Sequence, residues 1–424
     1  MADQKKLQFW QKIASNPFLR NLSWLGSSEL IIRVFRLITT VILARFLSPK
    51  DYGLAAIVLT TYDITQVFSR FGINAKLIQI EADRLEEFSQ SAYRLNWLIY
   101  VCLFCIQCCL SFPISWFYGD SKLILPICAM AVIYLISPLA YINVALLQRE
   151  NRLKVLAILN STQVTVDNIL TAILAYLGWG MWAIVLPKVL VAPLWVIIPY
   201  INHSWRPKKN FTAKHWREII KFGRSMLGIK LLETLRNNLD YLIVGRFISL
   251  EQLGLYYFAF NAGLGISLSA INAISLALLP HLCEVRSQWD KFQQRYFHSL
   301  RTISFIIIPL VLLQSSLAYF YVPIVFGAKW IAAIPILVLI CLSAIPRPYA
   351  DAASQLLIAV DKPQIDLLFS VAFTVMFGIA LLIGVHWQAI GVASAVLITH
   401  FLCMPLFTFW ATRYVFANKV TKLV

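Results

Sequence analysis

Residues 41–54 of the chain read VILARFLSPKDYGL, and residues 242–255 read LIVGRFISLEQLGL. Aligned without a gap at a separation of 201 residues, the stretches share Arg45 with Arg246, Phe46 with Phe247, Ser48 with Ser249, Gly53 with Gly254 and Leu54 with Leu255. Each stretch closes one long apolar segment and opens the next. The repetition predicts two homologous halves, and membrane proteins built from paired repeats typically bind a substrate between them.

The composition supports a membrane protein. Of the 424 residues, 59% are hydrophobic and 13% are charged, with a mean hydropathy of +0.72. A typical soluble domain carries about 25% charged residues. The apolar residues form twelve runs that are long enough to cross a bilayer as helices. These runs are 22–45, 52–80, 95–116, 123–146, 155–177, 181–201, 222–246, 254–283, 302–326, 331–358, 364–385 and 388–412.

The runs predict an all-α polytopic membrane protein with two homologous six-helix bundles around a central cavity. The N-terminal lobe covers residues 22–201 and the C-terminal lobe covers residues 222–412. A basic linker, residues 202–221, joins them and is expected to lie along the cytoplasmic interface. Residues 1–21 and 413–424 are expected to be cytoplasmic, with the first of these retained rather than cleaved as a signal.

The net charge of +17 is explained by topology rather than by nucleic-acid binding. With the amino terminus inside, seven Lys and Arg side chains fall between Arg206 and Arg224, on the inner side. Only Lys50, Lys122 and Lys329 fall in outer loops. This asymmetry follows the positive-inside rule, and it predicts that both ends of the chain lie in the cytoplasm.

Charged residues within the apolar runs form two stripes. The first run carries Glu29, Arg33 and Arg36, spaced four and three residues apart, which places them on one helical face. The seventh run, its repeat partner, carries a similar stripe: Lys230, Glu233, Arg236 and Asp240. Charges at the bilayer centre are costly, so such residues usually face water, a partner or a substrate.

We therefore expect both stripes to face one central, water-filled cavity. Asp63, Arg70, Asp167 and Lys188 are candidates to join them. Arginine and lysine favour an anion, and arginine suits phosphate through its bidentate geometry. The predicted substrate-binding residues are Arg33, Arg36, Arg236, Lys230 and Lys188, and the predicted cavity or ion-coupling acids are Glu29, Asp63, Asp167, Glu233 and Asp240. The alternative is that Glu29–Arg33 and Glu233–Arg236 are internal pairs that only hold helices together.

Cysteine and histidine indicate no metal site and no cofactor. Cys102, Cys105, Cys108 and Cys109 lie in the middle of one apolar run, without the loop that an iron–sulfur cluster requires. We interpret them as small packing residues. The six histidines show no metal-ligand spacing.

Several segments resemble the Wzx-type polysaccharide and O-antigen flippases of the multidrug/oligosaccharidyl-lipid/polysaccharide exporter superfamily. The similar stretches are LARFLSPKDYGL (43–54), FSRFGINAKLIQ (68–79), LLQRENRLK (146–154), NLDYLIVGRF (238–247) and LGLY (253–256). The resemblance implies two six-helix bundles that flip an oligosaccharide on polyprenyl pyrophosphate to the outer leaflet. It also implies that Arg33, Arg36 and Arg236 meet the pyrophosphate, and that a polysaccharide polymerase and chain-length machinery act beside it.

Three other functions compete with this interpretation. A multidrug or cation antiporter of the same fold would favour an acidic, aromatic cavity, whereas the inward charge here is mostly basic. A membrane oligosaccharide polymerase or ligase would need a large outer loop, whereas the predicted outer loops are short. A purely structural membrane protein would not need buried charge. The sequence therefore predicts a transporter rather than an enzyme.

Overall fold

The computed structural model describes residues 17–69, 72–208, 214–264, 271, 275, 278–286 and 288–417. For residues 17–31, 222, 225, 226 and 229 only the backbone is described. Over these ranges the chain forms helices and connecting turns, and no described residue lies in a β-strand. The predicted all-α class is therefore confirmed.

Contacts between Cα atoms divide the chain into two compact units. The first unit runs up to Leu47 and resumes over Val58–Thr234. The second unit contains Ser48–Ile57 and everything from Leu235 onward. The start of the helix after Ser48 thus packs with the second unit, whereas its remainder packs with the first.

The first eight helices lie wholly or mostly in the first unit. They are α1 (Pro17–Phe46), α2 (Pro49–Val67), α3 (Ile73–Gln79), α4 (Leu85–Tyr118), α5 (Ile124–Ile136), α6 (Pro138–Arg149), α7 (Leu153–Tyr176) and α8 (Trp182–Asn202). The next helix, α9 (Trp216–Phe247), crosses from the first unit into the second at Thr234.

The helices that follow α9 in the second unit differ widely in length. They are α10 (Leu250–Ala259), α11 (Trp289–Tyr321), α12 (Ile334–Leu342), α13 (Arg347–Ala359), α14 (Pro363–Gly384) and α15 (Gln388–Ala417). A π-helical turn, Phe260–Leu264, extends α10, and residues 278–283 are also helical.

Glycine and proline interrupt several of the predicted apolar runs. The run 52–80 breaks near Gly72, whose φ of 67° lies in the left-handed region that glycine adopts easily. The run 123–146 breaks before Pro138, and the two helices meet at a bend of 55°. Proline cannot donate the backbone hydrogen bond that would continue a helix, so a bend at this position is expected.

Within the described residues, five helical segments are long and apolar enough to cross a membrane, or six if the bent pair at Pro138 counts as one span. This number is lower than the twelve predicted spans. The segment Pro363–Ala417 covers two of the predicted runs, and much of the run 254–283 lies outside the described residues. Breaks shorten other runs, and charged residues lower the hydropathy of others, including α1 and α9.

Helix α4 buries several polar side chains and exposes large apolar ones. In α4, Asn96, Gln107 and Ser111 are fully buried, whereas Ile106 and Phe112 are exposed. Large exposed apolar surfaces mark contact with a membrane or a partner. Gln107 donates from Nε2 to the carbonyl oxygen of Ile127 at 2.9 Å, so the donor of this buried amide is satisfied inside the protein.

The repeated glycines approach each other's helices within the second unit. A Cβ atom added to Gly53 would lie 1.9 Å from the carbonyl oxygen of Leu250. A Cβ atom added to Gly254 would lie 1.7 Å from the carbonyl oxygen of Pro49. The two copies of the repeated motif therefore pack backbone against backbone, in a reciprocal contact that only glycine permits.

The described part of the linker is fixed to the first unit by ion pairs. Lys214 Nζ lies 2.9 Å from Glu87 Oε1, and Lys208 Nζ lies 3.0 Å from Glu86 Oε1. Glu218 Oε1 lies 2.7 Å from Lys76 Nζ, and this hydrogen bond lowers the pKa of Glu218 below its ordinary value. Glu218 lies in the predicted linker, outside the predicted span 222–246.

Candidate functional site

Arg33 and Arg36 lie on the exposed part of α1. Ile32 and Thr39 of the same helix are buried, and the Thr39 hydroxyl donates to the carbonyl oxygen of Asn168 in α7 at 3.4 Å. Helix α1 therefore packs on α7 through an apolar and small polar face. The two arginines lie outside this buried face and are exposed.

Lys188 and Asp167 form an ion pair inside the first unit. Lys188 Nζ, from α8, lies 3.4 Å from Asp167 Oδ2, from α7. Both residues line a cavity of about 560 Å³. The second carboxylate oxygen, Asp167 Oδ1, is buried and has no hydrogen-bond partner among the described residues.

Aromatic and amide side chains line the rest of this cavity. The aromatic residues are Tyr62, Tyr100, Tyr141 and Trp195, and the ring centroids of Tyr141 and Trp195 lie 6.4 Å apart. Gln66, Asn74 and Gln163 supply amide groups. Asp167 and Lys188 were predicted from the sequence. The aromatic and amide residues of the cavity were not, because they come from separate helices.

The stripe on α9 is divided between the two units. Lys230 and Glu233 belong to the first unit and form an ion pair at 2.8 Å. Arg236 belongs to the second unit, where its guanidinium lies 5.8 Å from the centre of the Phe373 ring. The alternative left open by the sequence was a Glu233–Arg236 pair, whereas in the structure Glu233 pairs with Lys230 of the same helix.

Asp240 is buried in the second unit. Its Oδ2 accepts a hydrogen bond from the Tyr256 hydroxyl at 2.9 Å, and its Oδ1 accepts one from the backbone N–H of Tyr241 at 2.9 Å. Arg347 of α13 interacts electrostatically with Asp240. These contacts give the buried carboxylate both hydrogen bonds and an opposite charge, as burial of an ion requires.

The site residues predicted from the sequence do not include Arg347, Asp351 or His400. Asp351 accepts a hydrogen bond from the Ser275 hydroxyl at 3.2 Å, and Arg236 and Arg347 both interact with it electrostatically. His400 is buried, and its ring is stacked on Phe377 with centroids 5.7 Å apart. Two of these residues could have been found from the sequence, because Arg347 and Asp351 lie four residues apart inside an otherwise apolar run.

The structure describes three further predicted charged residues to different extents. Glu29 lies in α1, but its side chain falls outside the described residues, and Arg70 falls outside them entirely. Asp63 is exposed on α2. No group of three or more His, Cys, Asp or Glu that could hold a metal ion occurs in the part of the chain that the structure describes.

These features define a class of protein, a polytopic helical membrane protein with charged and aromatic residues between its helices. Residues 42–335, more than half of the chain, match the family model described as "Polysaccharide biosynthesis protein". The chain therefore belongs to this family, and the resemblance to the Wzx-type polysaccharide flippases is confirmed.

Curated relatives extend over most of the chain. It is 24% identical over 413 residues to the uncharacterized membrane protein in the cps region of Klebsiella pneumoniae, covering 96% of this chain and 84% of that protein. It is 25% identical over 387 residues to the lipopolysaccharide biosynthesis protein WzxC of Escherichia coli (strain K12), covering 89% and 77%. It is also 22% identical over 375 residues to the teichuronic acid biosynthesis protein TuaB of Bacillus subtilis (strain 168), covering 88% and 77%.

Solved structures share the fold. The lipid II flippase MurJ in an inward closed conformation superposes with a TM-score of 0.75 at 15% identity, over 92% of this chain and 87% of that chain. An inward-facing multidrug resistance MATE family transporter of the MOP superfamily superposes with a TM-score of 0.73 at 13% identity, over 92% and 96%. At these identities the similarity establishes the fold.

Proposed function

We propose that the chain flips an oligosaccharide linked to polyprenyl pyrophosphate from the inner to the outer leaflet of the cytoplasmic membrane, for cell-surface polysaccharide synthesis. One observation carries the proposal: a chain of the polysaccharide biosynthesis family has the fold of a lipid II flippase over 92% of its length. A fold by itself does not define a function. Here membership of the family favours a glycan as the cargo, and the fold is one that can move such a cargo across a membrane.

The proposed architecture is twelve membrane helices in two six-helix bundles around a central cavity, with both ends of the chain in the cytoplasm. The bundles would rock so that the cavity opens first inward and then outward, as in other transporters with paired repeats. The glycan would cross in the wet interior while the lipid tail stays in the bilayer. The repeated motif and the distribution of cations support this arrangement.

Arg33, Arg36 and Arg236 are the proposed contacts for the pyrophosphate. Guanidinium groups bind phosphate oxygens through paired, charge-assisted hydrogen bonds. Lys188 and Lys230 were predicted for the same role, but each already has a carboxylate partner. We therefore propose that the two lysines contribute less to the affinity for pyrophosphate than the arginines do.

The acids of the same region are proposed to balance the cations and to exchange ions during the cycle. Asp167 and Glu233 serve the first role through their pairs with lysine. Asp240, buried beside Tyr256, is the proposed coupling acid, together with Glu29 and Asp63. Membrane lipids surround the protein, and we propose that a polysaccharide polymerase and chain-length machinery receive its product.

The fold also suits a second candidate, a multidrug or cation antiporter, because a multidrug transporter superposes nearly as well as the flippase. Such a protein would raise the resistance of cells to cationic drugs when it is expressed. A lipid-linked oligosaccharide flippase would leave drug resistance unchanged. Resistance profiling of cells with and without the chain separates the two functions.

The cationic site is tested by comparing two double variants in proteoliposomes. Arg33→Ala/Arg236→Ala removes two proposed pyrophosphate contacts. Arg301→Ala/Arg413→Ala removes the same charge from exposed positions of α11 and α15. Because each charge-assisted hydrogen bond is worth about 1.5–3 kcal/mol, we expect the first variant to flip at least about tenfold more slowly and the second to match wild type. Equal flipping by both variants would remove the cationic site.

A further inference from the structure

The cavity of the first unit has a balanced charge. Asp167 and Lys188 are the only ionised side chains among its described lining residues, and they form a pair. A free cation would have to displace Lys188 from the carboxylate, and a free anion would have to displace Asp167 from the ammonium. The cavity therefore favours a neutral polar ligand over either ion.

The lining of the cavity matches the two surfaces of a sugar ring. A pyranose has flat C–H faces that pack on aromatic rings and an edge of hydroxyl groups that both donate and accept hydrogen bonds. Tyr62, Tyr100, Tyr141 and Trp195 supply aromatic surface. Gln163 supplies an amide with both donors and an acceptor, and its side chain has no hydrogen-bond partner among the residues described.

Two further acceptors in the cavity wall have unused hydrogen-bonding capacity. Asp167 Oδ1 and Asn74 Oδ1 are buried and unpartnered within the described chain. Buried polar atoms without partners are rare and call for an explanation. Both oxygens belong to side chains that line the cavity, so each is an acceptor within reach of a ligand that enters it.

From these features we infer that the cavity of the first unit is a binding subsite for one pyranose ring of the transported glycan. The inference rests on the proposed function, because the glycan is the cargo proposed above. It adds a second contact region, separate in chemistry from the arginines that would hold the pyrophosphate. Its volume of about 560 Å³ falls within the range of about 300–1,000 Å³ that is typical of small-molecule sites.

The test is saturation-transfer difference NMR on the full chain in lipid nanodiscs, with methyl α-glucopyranoside and methyl N-acetyl-α-glucosaminide as probes. Tetraethylammonium and inorganic pyrophosphate serve as charged probes. We expect saturable transfer to the ring protons of at least one pyranoside. Each probe is measured with wild type and with the variants below.

Gln163→Leu removes an amide that holds no described partner, so the fold is expected to persist. It should weaken pyranoside binding by about two- to tenfold, the value of one neutral hydrogen bond. Trp195→Leu should reduce transfer to the C–H face. Gln364→Leu and Trp387→Leu are matched controls at exposed positions of the second unit, and they should bind like wild type.

Pyranoside binding that is equal in all variants would place the contact elsewhere and overturn the inference, as would binding of tetraethylammonium in place of the sugar or no binding at all. Flipping by wild type is measured separately. Flipping without pyranoside binding would reject the subsite and keep the proposed function. Pyranoside binding without flipping would keep the subsite and reject the proposed function.

Discussion

Gly53 and Gly254 show how one missing side-chain carbon fixes a contact between repeated motifs. Each glycine lies against a backbone carbonyl of the other motif, closer than any Cβ atom could approach. Backbone oxygens cannot move aside as a flexible side chain can. A methyl group at either position would therefore push two helices apart.

We predict that Gly53→Ala and Gly254→Ala each destabilise the protein by about 1–3 kcal/mol, the usual cost of overpacking a core. The measurement is the thermal unfolding midpoint in detergent. The matched control is Gly228→Ala, because Gly228 has no atom within 4 Å of a built Cβ. Alanine there should be neutral or stabilise the helix by up to about 1 kcal/mol. Equal midpoints for Gly53→Ala and Gly228→Ala would contradict the close contact.

At the scale of residues, the sequence predicts the glycines because the motif repeats, and it predicts the buried charges because apolar runs seldom contain them. The sequence does not predict which carboxylate forms an ion pair with each cationic side chain. Lys188 pairs with Asp167 across 21 residues, a separation set by the packing of α7 on α8. Arg347 carries the same signal, a charge inside an apolar run, but the prediction was restricted to the stripes on the repeated helices and their neighbours.

Among the helices, α7 and α8 are joined by a charged pair in a mostly apolar contact. Breaking such a pair leaves one partly buried charge without its partner, which costs more than removing both charges. We predict that Asp167→Ala destabilises the protein more than Asp167→Ala/Lys188→Ala does.

A double-mutant cycle on unfolding midpoints measures this coupling, which should lie in the range of about 0.5–3 kcal/mol for residues in contact. Lys230 and Glu233 provide the comparison, because their pair lies within one helix and is more exposed. That cycle should give a coupling below about 1 kcal/mol. Additive effects of Asp167→Ala and Lys188→Ala would show that the pair does not join the helices.

The linker's attachment to α3 predicts a dependence on pH. Lys76 lowers the pKa of Glu218 below its ordinary value of 4.5, so the folded chain binds fewer protons at this site than the unfolded chain. The stabilising contribution is therefore complete above pH 4.5 and is lost as the pH falls through the lowered pKa.

We expect wild type to lose more thermal stability between pH 6 and pH 3.5 than Glu218→Gln does, because the amide does not titrate. Glu251→Gln, at an exposed glutamate of α10 in the second unit, should lose as much as wild type. An identical pH response of wild type and Glu218→Gln would show that the Lys76–Glu218 pair does not stabilise the fold.

At the scale of elements, the long apolar runs predict the helices well, since each of the twelve runs contains described helical residues. The breaks are harder to predict, because proline and glycine can either bend a helix or sit within it. Pro113 lies inside the continuous helix α4, whereas Pro138 begins a new helix at a bend. The surrounding packing decides between these outcomes.

The whole molecule combines many exposed large apolar side chains, a repeated motif and membership of a family of polysaccharide biosynthesis proteins. The hydrophobicity of the sequence predicts the exposed apolar side chains, and comparison of the two halves of the sequence predicts the repeated motif. The aromatic cavity of the first unit could not be predicted, because its lining residues come from helices far apart in the sequence. Sequence periodicity places residues on one helix, but only the fold places several helices around one space.

The most direct test of the proposed function is the protein-dependent movement of a polyprenyl-pyrophosphate oligosaccharide across the membrane of proteoliposomes. A fluorescent glycan is placed on the inner leaflet only, and its appearance outside is followed with a membrane-impermeant quencher. We predict that wild-type protein exposes the glycan at a rate proportional to the amount of protein, whereas protein-free liposomes do not. A glycan that stays protected with properly inserted wild-type protein, under both an imposed proton gradient and an imposed sodium gradient, would contradict the flippase function.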